Sequence, residues 1–218
     1  MTSRPTSTSF ALLGLLGLRP WTAYELVTQV RRNLYAIWPR SEAHLYAELK
    51  RIVERGHATA EVVDGVRRQR TRYAITAEGR AALREWLGTE PAAPLIEVEG
   101  ILRLFLADQG STEDLRAALE STARQASEIY ARGAVLAEEV LNSGGPFPQR
   151  LHLTERVSAF YAAYLRLLIE WCDETLEEVE TWPDTRDIGL TPQARERLER
   201  LVAAEEPGSS PRSQLAEP

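Results

Sequence analysis

Apolar residues recur at helical spacing through the first third of the chain. Phe10, Leu13, Leu16 and Leu18 outline a short first helix, which Arg19-Pro20 ends because proline cannot continue the hydrogen-bond ladder. Thr22, Ala23, Tyr24 and Glu25 form a capping box, whose hydroxyl and carboxylate can satisfy each other's free backbone N–H groups. Leu26, Val27, Val30, Leu34 and Ile37 follow as the stripe of a second helix ending before Pro39. Ser41 is the N-cap of a third, with Leu45, Leu49, Ile52 and Val53 on one stripe and Gly56 as its closing left-handed residue.

Beyond Gly56 the period shortens. Residues 58–63 and 71–75 are rich in β-branched and aromatic residues and are separated by Asp64-Gly65 and an arginine cluster, which predicts a β-hairpin with a basic tip. Thr76 caps a further helix, Ala77 to Leu87, with Leu83, Trp86 and Leu87 turned inward. Helix, helix, helix, hairpin and helix make a winged helix-turn-helix over residues 1–90.

A break at Glu90–Pro94 precedes a strongly apolar helix from Ile96 to Ala107. From Thr112 to about Asn142 there is no proline, and Leu115, Leu119, Ala126, Ile129, Leu136 and Val140 keep a 4-and-3 spacing. At ~1.5 Å per residue this helix is ~46 Å long, so it must pack against more than its own winged domain. Gly144 to Pro148 interrupts the chain, and a second long helix runs from Thr154 to about Glu180. Its apolar residues Val157, Phe160, Tyr161, Tyr164, Leu165, Leu168, Trp171, Cys172 and Leu176 cover more than one stripe. Such a helix is buried twice, against its own chain and against a partner, here a second copy. The expected fold is therefore mainly α with a small β-hairpin. An N-terminal winged helix-turn-helix is joined to a coiled-coil-like dimerisation and effector domain over 95–183, followed over 184–218 by a short helix (Thr191 to Ala204) and a disordered acidic tail.

Charge changes the picture. The 218 residues carry a net charge of −6, but residues 1–90 hold 14 Lys/Arg against 9 Asp/Glu and residues 91–218 hold 12 against 23. A basic amino-terminal part and an acidic remainder imply that the first alone meets a polyanion. One cysteine, Cys172, excludes an intramolecular disulfide framework, and its place on an apolar stripe reads as a small buried hydrophobe. No zinc spacing occurs, so neither metal nor cofactor is expected. The apolar run Phe10–Leu18 is about half of the ~20 residues that cross a bilayer, and Arg4 before it with Arg19, Pro20 and Trp21 after it do not fit a secretion signal. A cytoplasmic location without membrane contact is expected.

On the third helix, at ~100° per residue, the face opposite Leu45, Leu49 and Ile52 carries Arg40, Ala43, His44, Ala47, Lys50 and Arg51. A helix lying in a major groove ~12 Å wide needs small side chains along its contact line and long donors around them. Ala43 and Ala47 give that room, His44 gives a donor, and Lys50 and Arg51 are placed for phosphates. Arg67, Arg68, Arg70 and Arg72 cluster at the hairpin tip, useful for phosphate or minor-groove contact, though strand alternation puts Arg70 and Arg72 on one side and Arg68 on the other.

The segments FALLGLLGLRPWTAYEL, SEAHLYAELKRIVERGHA and RTRYAITAEGRAALREWL resemble the PadR family of bacterial transcriptional regulators across essentially the whole winged domain. The resemblance implies a dimeric repressor that reads a short inverted repeat in double-stranded DNA and is relieved by a small effector, aromatic or phenolic. It adds Tyr24, Ser41 and Tyr46 to the DNA-facing set, with Tyr46 at the flank by helical geometry. The long helices are similar to the longer subfamily with an α-helical dimerisation domain. The family pattern G-x-x-R-x-x-Y is met at Gly65 and Tyr73, while the tip is more arginine-rich than it requires. Phe160, Tyr161, Tyr164, Leu168 and Trp171 are candidates for a dimer interface or effector pocket, with interface core the simpler role for the aromatics. The sequence shows no nucleophile with a base, no glycine loop for phosphate and no ligand set; His44, His57 and His152 are scattered, so no enzyme is expected. The competing reading is a winged-helix module for protein assembly without sequence-specific DNA binding.

Overall fold

Thr6 opens α1 (Ser7–Leu16) through a capping box: the Ser9 N–H donates to the Thr6 hydroxyl at 3.2 Å, and the Thr6 N–H donates to the Ser9 hydroxyl at 2.9 Å. The structure, a computed structural model, describes residues 5–33, 38–63 and 69–204. It forms two compact units, residues 1–95 and 96–218. The predicted end of the second helix with Leu34 and Ile37, the hairpin tip with Asp64, Gly65, Arg67 and Arg68, and the tail from Glu205 lie outside the described residues.

In the first unit, α1 buries Phe10, Leu12, Leu13 and Leu16 among α2 (Ala23–Asn33), α3 (Glu42–Glu54) and α4 (Ala77–Leu87). Leu26, Val27 and Val30 of α2 and Leu45, Leu49 and Ile52 of α3 complete this core. Burying each such side chain contributes about 1.5–3 kcal/mol. Three antiparallel strands in the order β1 (Trp21–Thr22), β3 (Arg70–Ile75), β2 (Ala58–Val63) flank the helices. Ala58 lies opposite Ile75 and Val63 opposite Arg70, and Trp21 opposite Tyr73. Strand β1 adds to the expected hairpin; two residues carry no alternation to read. A tertiary anchor fixes it, since the buried Trp21 indole N–H donates to the Leu15 carbonyl at 2.9 Å and the Arg19 guanidinium lies 3.5 Å from the ring centroid.

The hairpin and α4 are tied to the end of α3. The Thr76 N–H donates to the His57 carbonyl at 3.1 Å, its hydroxyl donates to the Gly56 carbonyl at 2.7 Å, and that hydroxyl caps α4 by accepting from the Gly79 N–H at 3.0 Å. Leu87, expected inward, is exposed on the far turn of α4, while Trp86 reaches the core edge by stacking on Phe10 with ring centroids 4.8 Å apart.

The second unit holds α5 (Glu99–Phe105), α6 (Thr112–Ser143), α7 (Leu151–Val179) and α8 (Pro192–Ala204), with one-turn 3-10 helices at Ala107–Gln109 and Pro148–Arg150. The helix expected from Ile96 begins three residues later, because Val98 is extended and offers no side-chain cap, and because Gly100 must come hard against Thr122 of α6. A Cβ at Gly100 would sit 2.2 Å from the Thr122 hydroxyl oxygen. Leu115 and Leu119 of α6 and Cys172 and Val179 of α7 form the core, with Leu104, Leu168, Trp171, Leu176 and Trp182 packed around them. Helix α6 starts at a capping box of Ser111 and Asp114 and ends at Gly144, φ +75°. Helix α8 docks on the end of α7 through Glu178, which accepts from the Thr191 hydroxyl at 3.3 Å and pairs with Arg197 at 2.7 Å.

Candidate nucleic-acid interface

Both ends of α3 are fixed by local chemistry. At the start the Ser41 hydroxyl oxygen accepts from the His44 N–H at 3.3 Å. At the end the Gly56 N–H reaches the Val53 carbonyl at 2.8 Å and the His57 N–H reaches the Ile52 carbonyl at 2.9 Å, a Schellman closure that needs the φ of +73° Gly56 supplies. Leu45, Leu49 and Ile52 seat the helix on the core. The outward side presents Ala43 and Lys50 exposed, with His44 and Ala47 half-buried beside them. Tyr46 is 37% exposed at the flank, and Tyr24, in the first turn of α2, is 75% exposed. Small residues run along the line a groove floor would meet, with donors at either side.

Two of the sequence-derived basic residues are engaged elsewhere. Arg40 stacks over Trp38, 4.6 Å from the ring centroid, and donates to the Pro39 carbonyl at 2.7 Å. Arg51 donates to Glu48 Oε2 at 2.6 Å. Glu48, which no sequence motif marks, is fully buried on the inner side of α3, bonded also to the Ser9 hydroxyl and, at 3.5 Å, to Arg55. Burial pushes its carboxyl up, but the Ser9 hydroxyl and the Arg51 and Arg55 guanidiniums outweigh this and hold it below the ordinary glutamate range. Position 48 is three residues after Leu45 and four before Ile52, so spacing alone places it on the buried stripe.

Arg70 and Arg72 are exposed on β3, with Arg72 opposite Glu61 in the register. The field of Arg70 reaches Glu25 in the first turn of α2, next to Tyr24. That carboxyl lies below its ordinary value chiefly because the Thr22 N–H donates to it at 2.8 Å; burial opposes this, and the Thr22 hydroxyl, Arg19 and Arg70 add to it. Arg67 and Arg68 lie outside the described residues.

The five candidates on α7 divide. Leu168 and Trp171 pack on the core around the fully buried Cys172, whose thiol burial and Asp173 push up. Tyr161 and Tyr164 stack with centroids 6.0 Å apart and are half-buried, and Phe160 is 70% exposed. Burial raises both phenols; at Tyr161 the neighbouring Tyr164 adds to the rise and Arg132 opposes it. Among the described residues no cluster of three or more His, Cys, Asp or Glu could hold a metal, and no helix is long and apolar enough to cross a membrane.

Residues 12–85 match the Transcriptional regulator PadR-like family. No curated protein sequence matches the chain. Among solved structures, Bacillus subtilis PadR in complex with operator DNA aligns with a TM-score of 0.70 at 18% identity, over 81% of this chain and 99% of that one. Bacillus subtilis PadR in complex with p-coumaric acid aligns at 0.62 and 17% identity, over 83% and 99%. The Vibrio cholerae virulence activator AphA aligns at 0.61 and 23% identity, over 79% and 98%. At these identities the likeness shows a common fold, a winged helix-turn-helix with long carboxy-terminal helices. Residues 12–85 thus carry a winged domain that is similar to the PadR-like family of transcriptional regulators.

Proposed function

We propose that this chain is a homodimeric, DNA-binding transcriptional repressor that reads an inverted-repeat operator through α3 and the basic hairpin and releases it when a small aromatic effector binds the α-helical unit. The observation that carries this reading is α3, seated by Leu45, Leu49 and Ile52 while it exposes Ala43 and Lys50, with the small Ala47 half-buried between them, within a PadR-like domain. Lys50 and Arg70 supply phosphate contacts; Tyr24, Ser41, Ala43, His44, Tyr46 and Ala47 face the groove. Arg40 leaves its stack on Trp38 only at the cost of that contact, which makes it a secondary contributor.

Dimerisation is supported by an exposed stripe on α7. Leu153, Val157, Phe160 and Leu167 follow one another at spacings of 4, 3 and 7, all at least 43% exposed, about 100° around the helix from the buried line of Leu165, Cys172 and Val179. Two-fold pairing matches a palindromic operator, with half-sites about 34 Å apart or a multiple of it. Tyr161 and Tyr164 offer flat surfaces and hydroxyls to an aromatic effector, and Arg132 a charge for a carboxylate or phenolate. That Bacillus subtilis PadR, similar in fold, is found in complex with p-coumaric acid supports an aromatic acid as the effector. Such an effector shifts the winged units only by favouring one spacing over another.

The test is binding of the purified protein to the DNA upstream of its own gene, against a scrambled duplex, with and without p-coumaric acid. Selective binding lost on adding the acid supports the reading. Equal weak binding to both duplexes refutes it and favours an assembly module.

A further inference from the structure

Lys50 and Arg51 stand side by side on α3, and the sequence gives them the same task. The structure separates them. Lys50 is exposed and points away from the core. Arg51, its side chain 45% exposed, turns inward and places Nη1 2.6 Å from Glu48 Oε2. Glu48 is 0% exposed and faces α1, where the buried Ser9 hydroxyl donates to Oε1; Arg55, 8% exposed, reaches the same oxygen at 3.5 Å. The Ser9 hydroxyl is in turn held by the Thr6 N–H in the α1 capping box. A continuous chain of polar contacts thus joins the start of α1 to the inner side of α3.

A buried carboxylate needs compensating charge, because burial penalises its ionised form and leaving it unpaired costs more than the pair contributes. Arg51 makes the short, charge-assisted contact and Arg55 the long one, so Arg51 supplies the larger part of that compensation. Moving Arg51 outward to a phosphate would expose Glu48 to this penalty. Pairing with the carboxylate also offsets much of the Arg51 charge that would otherwise serve the release of DNA counterions.

We propose that Glu48 is a positioning residue that withholds Arg51 from the DNA phosphates, so that of the two adjacent basic residues Lys50 alone contributes to the salt dependence of binding. The inference rests on α3 being the DNA-reading helix. Neighbouring cations thereby take opposite roles, set by a buried acid.

The experiment is a salt titration of the full-length protein on a mixed-sequence DNA duplex, comparing wild type with Lys50→Ala, Arg51→Ala and Glu48→Gln, each checked for folding by circular dichroism. Each phosphate neutralised contributes about 0.9 to the slope of log K against log salt. Lys50→Ala is expected to reduce the slope by about that amount per protomer. Arg51→Ala is expected to leave the slope unchanged while lowering the melting temperature. Glu48→Gln removes the buried charge that holds Arg51 and keeps one neutral amide oxygen, which can still accept from Ser9; it is expected to free Arg51 and steepen the slope, a change that mere loss of structure would not produce. If Glu48→Gln does not fold, the Lys50→Ala and Arg51→Ala comparison still decides. Equal slope losses for those two overturn this inference alone. A wild-type protein with no salt-dependent DNA binding overturns the DNA-reading role of α3 and this inference with it.

Discussion

Gly79 occupies the third position of α4, in contact with the loop that closes α3, and a single added methyl there is unusually easy to evaluate. An ideal Cβ at this residue would lie 2.0 Å from the His57 carbonyl oxygen and 2.9 Å from its carbon. The obstacle is backbone, and it is held in place because the same carbonyl accepts from the Thr76 N–H at 3.1 Å. Relief therefore requires moving the start of α4 away from the hairpin base by about an ångström. Helix propensity favours alanine over glycine by about 1 kcal/mol, whereas overpacking costs typically 1–3 kcal/mol and sometimes more. Because the clash is with a fixed carbonyl, the upper part of that range applies, and Gly79→Ala is expected to destabilise the winged unit by about 1–2 kcal/mol net. Gly14, in the middle of α1, is the control: a Cβ there meets nothing within 4 Å, so Gly14→Ala is expected to stabilise by about 0.5–1 kcal/mol. Urea unfolding followed by circular dichroism measures both. The reasoning fails if Gly79→Ala is neutral or stabilising while Gly14→Ala behaves as expected.

Further outcomes follow from the same contacts. Thr76→Ala removes both an N-cap and the hydroxyl bond to Gly56, and should cost about 1–2 kcal/mol in urea unfolding. Glu25, held below its ordinary value in the folded chain, contributes stability that is present above about pH 4.3 and is lost as pH falls through its lowered pKa; acid unfolding of Glu25→Gln should show a shallower dependence across that window. Phe160→Asp places a charge in the exposed α7 stripe proposed as the dimer seam, and should shift that proposed dimer to monomer in sedimentation velocity without loss of helical signal. Cys172, buried with a raised pKa, should resist thiol-reactive reagents until the protein is unfolded.

Elements set by short-range chemistry were legible. Ser41 and Gly56 mark α3 because an N-cap and a left-handed C-terminal residue are local requirements, and the β2–β3 hairpin follows from its residue types. Strand β1 was not legible, since Trp21 and Thr22 pair with β3 only once the Trp21 indole is locked against α1. The start of α5 escaped for a similar reason: its apolar run continues past Ile96, but Gly100 against Thr122 decides where the helix forms. At the candidate interface, helical geometry placed Ala43, His44, Ala47 and Lys50 together. What it missed is how Glu48 claims Arg51, because a glutamate on an apolar stripe reads as an exception until Ser9 and Arg55 are found beside it. On α7, periodicity gave the two apolar stripes, but which of Phe160, Tyr161, Tyr164, Leu168 and Trp171 faces the core depends on the path of α6.

The central claim, that α3 and the hairpin read a specific operator, is tested most directly by the affinity ratio for the DNA upstream of the protein's own gene over a scrambled duplex at physiological salt. Specific regulators typically prefer their sites by roughly 10³-fold or more. The account predicts a ratio in that range, collapsing toward unity when Ala47 is replaced by a bulky residue such as Trp, which keeps the charge but closes the groove-facing line. A ratio near one for the wild-type protein would contradict it.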